Sequence, residues 1–448
     1  MIPFFRRPIA LCAIFVIGLS TLHVAAVTPG VALVGKGTVA GNASDKSGQT
    51  GNICQASNPS NCVSKSILGG FGSDITYTGH DNVFIAAPDR GPFDGLTDVA
   101  YIDRFHFFHI ATNIGASFPN IKATLLDTRF FRNESGAKFV GAAGDFENRF
   151  DPEGIVVAPD GTFYVSDEYG PFIFQFDRQG NIIRRIFIPS KFSITAPNGD
   201  PTRELRDNLQ GRQANRGMEG LAISPDGSTL FGIMQNALIQ DSGLVTPFPA
   251  NPAEAPGRLG MNNRILKVDL TTGETKEFVY VVDAINRGQG VSEILAVNDT
   301  EFLVVERDNR SWLSAEPQAP TRKTLYKISV AGATDVSNQL LPAGTLPAGV
   351  TPVQKVVSPS AFINLLDPAF GLHLNDTNAI SEKIEGLAWG PDLADGRHLL
   401  YVVSDNDLNP NLATQIFAFA IEPQVLDFQR QYLPGPLFPP GQVKKLTK

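Results

Sequence analysis

The stretch Asp151-Pro-Glu-Gly-Ile-Val-Val-Ala-Pro-Asp-Gly-Thr-Phe-Tyr-Val-Ser-Asp-Glu168 decides the fold. It reads as an acid, an apolar strand, a turn and a second apolar strand that ends in acids. Pro-Asp-Gly at 159–161 is strong turn chemistry, because proline presets φ and glycine accepts a positive one. Met218-Glu-Gly-Leu-Ala-Ile-Ser-Pro-Asp-Gly-Ser-Thr-Leu-Phe-Gly-Ile-Met-Gln235 repeats it almost step for step. A third copy opens with Ile384-Glu-Gly-Leu-Ala-Trp-Gly-Pro-Asp392 and ends in Leu400-Tyr-Val-Val-Ser-Asp-Asn406. Weaker copies run from Gly72-Ser-Asp-Ile-Thr-Tyr77 to Ala87-Pro-Asp-Arg90, and from Val291-Ser-Glu-Ile-Leu-Ala-Val297 to Val304-Val-Glu-Arg-Asp308.

Two more strand-like runs follow each clear copy, at 172–176 and 182–188, then at 264–270 and 275–281. Four strands per copy joined by hairpin turns make the blade of an all-β β-propeller of four-stranded antiparallel blades. The intervals between copies exceed the roughly 40–50 residues of a compact blade. Long Pro-, Gly-, Asn- or Ala-rich loops at 190–213, 238–262 and 339–353 account for the excess. Five blades are visible, and residues 98–150 are a candidate for a degenerate sixth. Residues 31–39 or 415–421 are candidates for the strand that closes the ring. No window outside the N-terminus carries an amphipathic helical stripe with caps. The tail from 429 reads as loop or disordered terminus. A β-sandwich is also all-β, but it does not explain one phrase recurring with an acid at its head.

The chain has 448 residues, 42% hydrophobic and 18% charged, with a net charge of −8. That is too apolar for a disordered chain and too acidic for a general nucleic-acid footprint. Arg6 and Arg7, the apolar run 9–19 and Val24-Ala-Ala26 have the form of a signal peptide over residues 1–26. The run is well short of the ~20 residues of a membrane-spanning helix, and no later segment is long and apolar enough to span. An exported protein, extracellular or periplasmic, is expected. Cys54 and Cys62, close in sequence, most simply form one structural disulfide in a small loop. The expected organisation is an N-terminal strand and stapled loop over 27–70, the propeller over 71–425 and a tail over 426–448. N-x-S/T sequons begin at Asn42, Asn133, Asn298, Asn309 and Asn375.

Inner propeller strands run along a central channel, so equivalent positions of the copies meet in space. That expectation gathers Asp74, Glu153, Glu219, Glu293 and Glu385 around one end of the axis. Clustered carboxylates must protonate, accept backbone N–H bonds or bind a cation. A hard divalent ion, Ca²⁺ first, is the natural ligand; a purely structural ring that locks neighbouring blades is the alternative. The ends of the second strands add Asp89, Asp167, Glu168, Gln235, Asn236, Glu306, Asp308, Asp405 and Asn406 at the same mouth. Arg90, Arg216, Arg307 and Arg310 lie close by in sequence. Acids with arginines at one rim suit a metal-assisted site for an anionic or ester substrate.

Other chemistries find no motif. G-x-S-x-G, H-E-x-x-H, the Walker loop and G-x-G-x-x-G are all absent. The run from Asp405 to Asn409 begins like a calcium loop, but Pro410 stands where an EF-hand needs glycine. His106 and His109 sit in an aromatic run, Phe105-His-Phe-Phe-His109, where packing outweighs ligation.

Taken together, Asp89-Arg-Gly91, the phrases at 151–155 and 218–227, Val305-Glu-Arg-Asp308 and Ile384-Glu-Gly-Leu-Ala-Trp389 resemble the phytase-like domain, also described as "esterase-like activity of phytase". The resemblance runs in order from about 71 to 421. It implies a secreted or periplasmic β-propeller that hydrolyses phosphoric or carboxylic esters, with calcium assistance as in β-propeller phytases. The Arg-His-Gly signature of histidine acid phytases is absent. The resulting expectation is metal held by some of Asp74, Glu153, Glu219, Glu293 and Glu385. Glu153, Asp167, Glu168 and Glu219 are the candidate catalytic acids, and Arg90, Arg216 and Arg307 the substrate-binding cations. The expected partner is a small anionic or ester molecule. A non-catalytic binding scaffold and a calcium-dependent lactonase are the competing expectations.

Overall fold

The turn chemistry of the repeated phrase is realised in its hairpins. In a computed structural model of the chain, Gly161 and Gly227 take φ of +82° and +76°. The Asp160 and Asp226 carboxylates each accept the backbone N–H two residues on. Residues 28–244, 258–282, 289–314, 316–356, 361–372, 379–433, 435–436, 438 and 441–447 are described by the structure. The expected signal peptide and the sequon at Asn375 lie outside them.

Strand β1 (Val31–Val39) and the hairpin β2 (Asn52–Gln55) and β3 (Asn58–Ser64) precede the first blade. The hairpin is tied by the Cys54–Cys62 disulfide, as expected. Blade 1 is β4 (Asp74–Tyr77), β5 (Val83–Ala87), β6 (Arg104–Thr112) and β7 (Ile121–Phe130). Blade 2 is β8 (Pro152–Val157), β9 (Phe163–Asp167), β10 (Phe172–Phe176) and β11 (Ile182–Ile186). Blade 3 begins with β12 (Met218–Ile223) and β13 (Thr229–Met234). A short ribbon, β14 (Gly243–Leu244) with β15 (Arg258–Leu259), interrupts it before β16 (Asn262–Asp269) and β17 (Thr275–Val281). Blade 4 is β18 (Gln289–Ala296), β19 (Glu301–Asp308), β20 (Lys323–Ser329) and β21 (Gln354–Lys355), with β22 (Ile363–Asn364) also on β20. Blade 5 is β23 (Lys383–Trp389), β24 (His398–Asp405), β25 (Thr414–Ile421) and, outermost, β1.

The ring therefore has five blades. Residues 98–150 form no sixth; they supply β6 and β7, because the Phe105-His-Phe-Phe-His109 run pairs with β5 and completes blade 1. Both candidate closing segments are used, since β1 pairs antiparallel with β25 from Val31↔Ile421 to Val39↔Thr414. The first and last strands thus share one sheet, and their hydrogen bonds close the circle. The inner strands neighbour one another in the order β4, β8, β12, β18, β23 and back to β4.

Apolar side chains fill the wedges between blades. Between blades 1 and 2 the wedge holds Phe105, Phe107, Phe131, Phe163, Phe174 and Phe176, all buried. Burying each such ring is worth about 1.5–3 kcal/mol. Packing of this kind holds the inner strands rigidly around the channel.

Residues 427–433 are irregular, as expected of a loop, but not loose, whereas Gln442–Leu446 forms a short helix that the loop expectation missed. Gln429 N donates to Val297 O, Gln431 Nε2 to Val157 O and Tyr432 N to Pro225 O. The Phe428 ring lies 4.5 Å from both Trp389 and His398, and Leu433 packs on Gly79. These partners belong to all five blades, at the far ends of their inner strands. The tail is a strap across that end of the channel.

Candidate functional site

Strand register decides which acid faces where. In blade 3 Met218 pairs with Met234 and Gly220 with Ile233, so Glu219 is an inserted, bulged residue. Glu385 is inserted in the same way between Ile384 and Gly386. Blade 2 slips between Pro152 and Ile155, which puts Glu153 in the matching bulge. In blade 4 the slip lies between Val291 and Glu293, so the inserted residue is Ser292. Glu293 instead matches Gly220 and Gly386. Asp74, which precedes the pair Ile75↔Ala86, takes that same second position in blade 1. A bulge re-aims its side chain. The five acids therefore form two layers: Glu153, Glu219 and Glu385 above, Asp74 and Glu293 one residue deeper. The expectation of a single ring of five is corrected accordingly.

The glycines of the deeper layer are required by close approach. A Cβ on Gly154 would stand 2.4 Å from Leu221 N, and one on Gly220 2.7 Å from Ile294 N. Inner strands this close leave room in that layer for only two longer side chains.

The upper layer opens into a cleft of about 250 Å³ at the mouth of the channel. Its walls carry Asp89, Glu153, Glu168, Glu219 and Glu385 together with Arg90, Arg216, Arg307 and Lys383. Arg307 bridges two blades, with Nη2 at 2.5 Å from Glu385 Oε1 and 3.8 Å from Glu219 Oε1. Its Nε donates to Ser292 Oγ at 2.9 Å, so the bulge serine of blade 4 orients the guanidinium. Gln235 Nε2 donates to Glu219 Oε1 at 2.6 Å, leaving Glu219 Oε2 buried without a donor. Arg216 hydrogen-bonds Asn236 Oδ1.

Around blade 2 the mouth concentrates negative charge. Asp151, Glu153 and Glu168 are buried, with one carboxylate oxygen of each within 4.8 Å of the others. Arg90 lies against them, Nη1 at 2.9 Å from Asp151 Oδ2 and 3.7 Å from Glu168 Oε2. Burial drives Glu153 well above the usual carboxylate range, and the charges of Glu219, Asp151, Glu168 and Asp89 drive it further. Burial also raises Glu219, with Glu168 and Glu385 adding and Arg307 opposing. Asp151 is raised to about 7 by burial, against the pull of Arg90. Glu153 and Glu219 hold protons unless a cation takes their place, while Asp151 is paired with Arg90. Three buried carboxylates with crowded oxygens, one of them without a hydrogen-bond donor among the described residues, fit a hard divalent ion. A second trio, Asp89, Asp405 and Asp407, is also crowded and has Lys383 bonded to Asp407, as Arg90 is to Asp151 in the first; it differs in burial, Asp407 being exposed.

The deeper layer has a different character. Asp74 Oδ1 accepts Ile75 N and Oδ2 accepts Ile155 N of blade 2, each at 2.6 Å. Glu293 Oε1 accepts Ile294 N at 2.6 Å and Leu221 N of blade 3 at 3.3 Å. The two buried carboxyl groups act on each other across that layer, the Asp74 charge adding to the effect of burial in raising Glu293. They line a narrow void of about 50 Å³ between the mouth and the C-terminal strap. They are the blade-locking acids that the structural reading anticipates.

Of the remaining expected residues, Asp167 turns away from the cleft. Its carboxylate accepts the N–H groups of Asp151, Tyr169 and Gly170, and so shapes the loop that carries Glu168. Arg90, Arg216, Arg307, Glu168 and Glu219 all line the cleft. Asp151 and Lys383 were passed over by the sequence reading, although each stands two residues before a bulge glutamate.

The chain matches the family described as Phytase-like, "Esterase-like activity of phytase", over residues 66–408. A protein of Arthroderma benhamiae described as "Uncharacterized secreted protein" is 28% identical over 477 aligned positions, covering 84% of this chain and 86% of that protein. Among solved structures, regucalcin of Agrobacterium tumefaciens is 10% identical, with coverage of 80% and 92% and a TM-score of 0.31. Virginiamycin B lyase of Staphylococcus aureus is 12% identical, with coverage of 76% and 89% and the same TM-score of 0.31. At such scores the likeness carries no functional argument. The family match spans all five inner strands and the mouth acids, and the chain belongs to the phytase-like family, "Esterase-like activity of phytase".

Proposed function

We propose that the protein is an exported hydrolase of phosphate or other esters that works at the channel mouth with the help of a divalent cation, calcium first. The observation that carries this reading is the buried trio Asp151, Glu153 and Glu168 opening onto a cleft that also presents arginines. The trio would hold the ion, which supplies polarisation of the ester oxygen and of a bound water. Arg216 and Arg307 grip the anionic oxygens of the substrate. Glu219, oriented by Gln235 and biased toward its protonated form, hands a proton to the departing alcohol as the ester bond breaks. Water supplies the new hydroxyl on the acid half, and the proton it gives up restores Glu219 to its starting form. Asp167 acts as a positioning residue for the loop of Glu168.

An exported location agrees with the signal-like N-terminus, the Cys54–Cys62 disulfide and the relative described as secreted. Among the described residues no helix is long and apolar enough to cross a membrane.

The test is turnover of a panel of phosphomonoesters, carboxylic esters and lactones, with calcium and with chelator. Glu153→Gln and Glu219→Gln are each expected to abolish turnover without lowering the melting temperature. If both variants keep wild-type turnover, the mouth is not the reaction centre. Turnover confined to lactones would assign the same cleft to a lactonase. Absence of all turnover would leave a binding scaffold.

A further inference from the structure

Beside the mouth lies a second pocket of about 210 Å³, bordered by Leu96, Ala143, Arg149, Tyr169 and Ala214. The two spaces share Arg90, Ala214 and Asn215 as a common wall. That wall is a tight turn: Arg216 N donates to Gln213 O, and Asn215 is held at a φ of +53°. Gln213 Nε2 anchors it to Ala237 O at 2.7 Å. A molecule seated across the turn would place one half in each space.

The three arginines of this pocket are not equivalent. Arg90 is neutralised by Asp151 and Asp94. Arg212 is buried against Glu204 at 2.8 Å and donates to Tyr169 O. Arg149 forms no ion pair among the described residues; Nη1 reaches only the Ala143 carbonyl oxygen, at 3.1 Å. Its guanidinium is instead held against two rings, 4.6 Å from the Phe146 centroid and 5.4 Å from that of Tyr169. Stacking fixes the plane of the fork and leaves donors for an anion. Asp94 and Glu204 also line the pocket, but Arg90 and Arg212 are paired with them; Leu96, Ala143, Tyr169 and Ala214 give apolar wall, and Leu96 is 60% exposed. A large exposed leucine beside an unpaired, stacked arginine is costly surface for the protein alone and good surface for a flat ligand.

We infer that this side pocket is a leaving-group subsite, taking a flat apolar group that bears a carboxylate or phosphate while the scissile ester sits over the 213–216 turn. The assignment to a leaving group rests on the hydrolase reading above; the pocket's ligand class does not. No residue of the proposed chemistry at the mouth is needed for the pocket to bind.

Isothermal titration calorimetry on the full chain, with benzoate, phenol and acetate as probes, tests it. Benzoate is expected to bind about tenfold more tightly than either of the others, because only benzoate uses both the walls and the guanidinium. Arg149→Ala is expected to erase that preference, with Arg149→Gln as the variant of choice should the alanine form fail to fold. Equal affinity for the three probes, no binding of benzoate, or unchanged benzoate binding in the variant would each overturn the subsite. Among turned-over esters, Arg149→Ala should raise KM about tenfold for carboxyphenyl esters and leave phenyl esters within twofold. Should no ester be turned over while benzoate still binds through Arg149, the hydrolase reading fails and the pocket stands as a binding site for aryl acids.

Discussion

The carboxyl groups of Asp74 and Glu293, from blades 1 and 4, line one narrow void in the channel beneath the mouth and act on each other electrostatically. Two buried carboxyls in one void repel if both ionise, so at least one keeps its proton. Burial raises Asp74 to about 7, and burial together with the Asp74 charge puts Glu293 well above its usual range. The unfolded chain releases both protons near pH 4.

A pH dependence with a definite sign follows from that pair. Between about pH 4 and 7 the folded state binds more protons than the unfolded one, so stability falls as pH rises. The Asp74 share is complete below pH 4 and is lost as pH climbs through about 7, while Glu293 holds its proton further and its share is lost only at higher pH. Each pH unit inside the window costs at most ~1.4 kcal/mol per proton. Thermal melts at pH 5 and pH 8 should show a larger drop for the wild type than for Asp74→Asn, which keeps a neutral hydrogen-bonding group there. Equal drops would mean that the pair does not hold its proton.

Calcium should act at the upper layer alone. Titrating the ion into chelator-treated protein is expected to raise the melting temperature saturably, by about 2.7 kcal/mol of stability at a hundred times Kd. Glu153→Gln should remove the rise and Glu293→Gln should keep it, since Glu293 lies below the cleft with Asp74. A rise that survives Glu153→Gln would move the ion elsewhere.

Close approach of the inner strands gives a third expectation. Gly154→Ala places a Cβ 2.4 Å from Leu221 N, a backbone atom that cannot yield locally. Forcing β8 and β12 apart should cost about 1–3 kcal/mol, as overpacking does elsewhere. Gly144→Ala, where a Cβ meets nothing within 4 Å, is the control and should be nearly neutral. Urea midpoints of the two variants decide the point.

The strap makes the tail a stability element. Phe428→Ala removes a half-buried ring packed at a tilt against Trp389 and His398, and about 2 kcal/mol is expected. Deleting residues 427–448 should cost more, because bonds to Val297, Val157 and Pro225 go with it. Calcium affinity at the mouth should stay within twofold in the point variant, the strap being at the other end of the channel. A full-length melting temperature in the deletion would show that the tail merely rests on the ring.

Much of this molecule is legible along the chain. Alternation of apolar residues and the Pro-Asp-Gly turns are local properties, so the hairpins of blades 2 and 3 could be placed from sequence. Recurrence of one phrase then implied a ring, because only a ring brings its acids together. The assignment of residues 98–150 failed because pairing of β6 with β5 is a tertiary choice; the Phe-His run looks the same in a new blade as in the outer half of an old one. Strap and tail escaped notice for a similar reason: residues 427–433 have no periodicity and are ordered only by partners contributed from five blades.

The sequence by itself determined the inner hairpin strands of the repeats, their turns, the disulfide pair and the presence of an acid at the head of every repeat. Only the tertiary structure decided which acids face the cleft. Ser73-Asp74 and Ser292-Glu293 stand beside Glu153-Gly154, Glu219-Gly220 and Glu385-Gly386 with one position exchanged. One inserted residue moves a side chain to a different layer, and the insertion is defined by register with the neighbouring strand. Charge follows the same rule: an acid is a ligand, a proton holder or a blade lock according to the burial and the donors that distant segments bring to it.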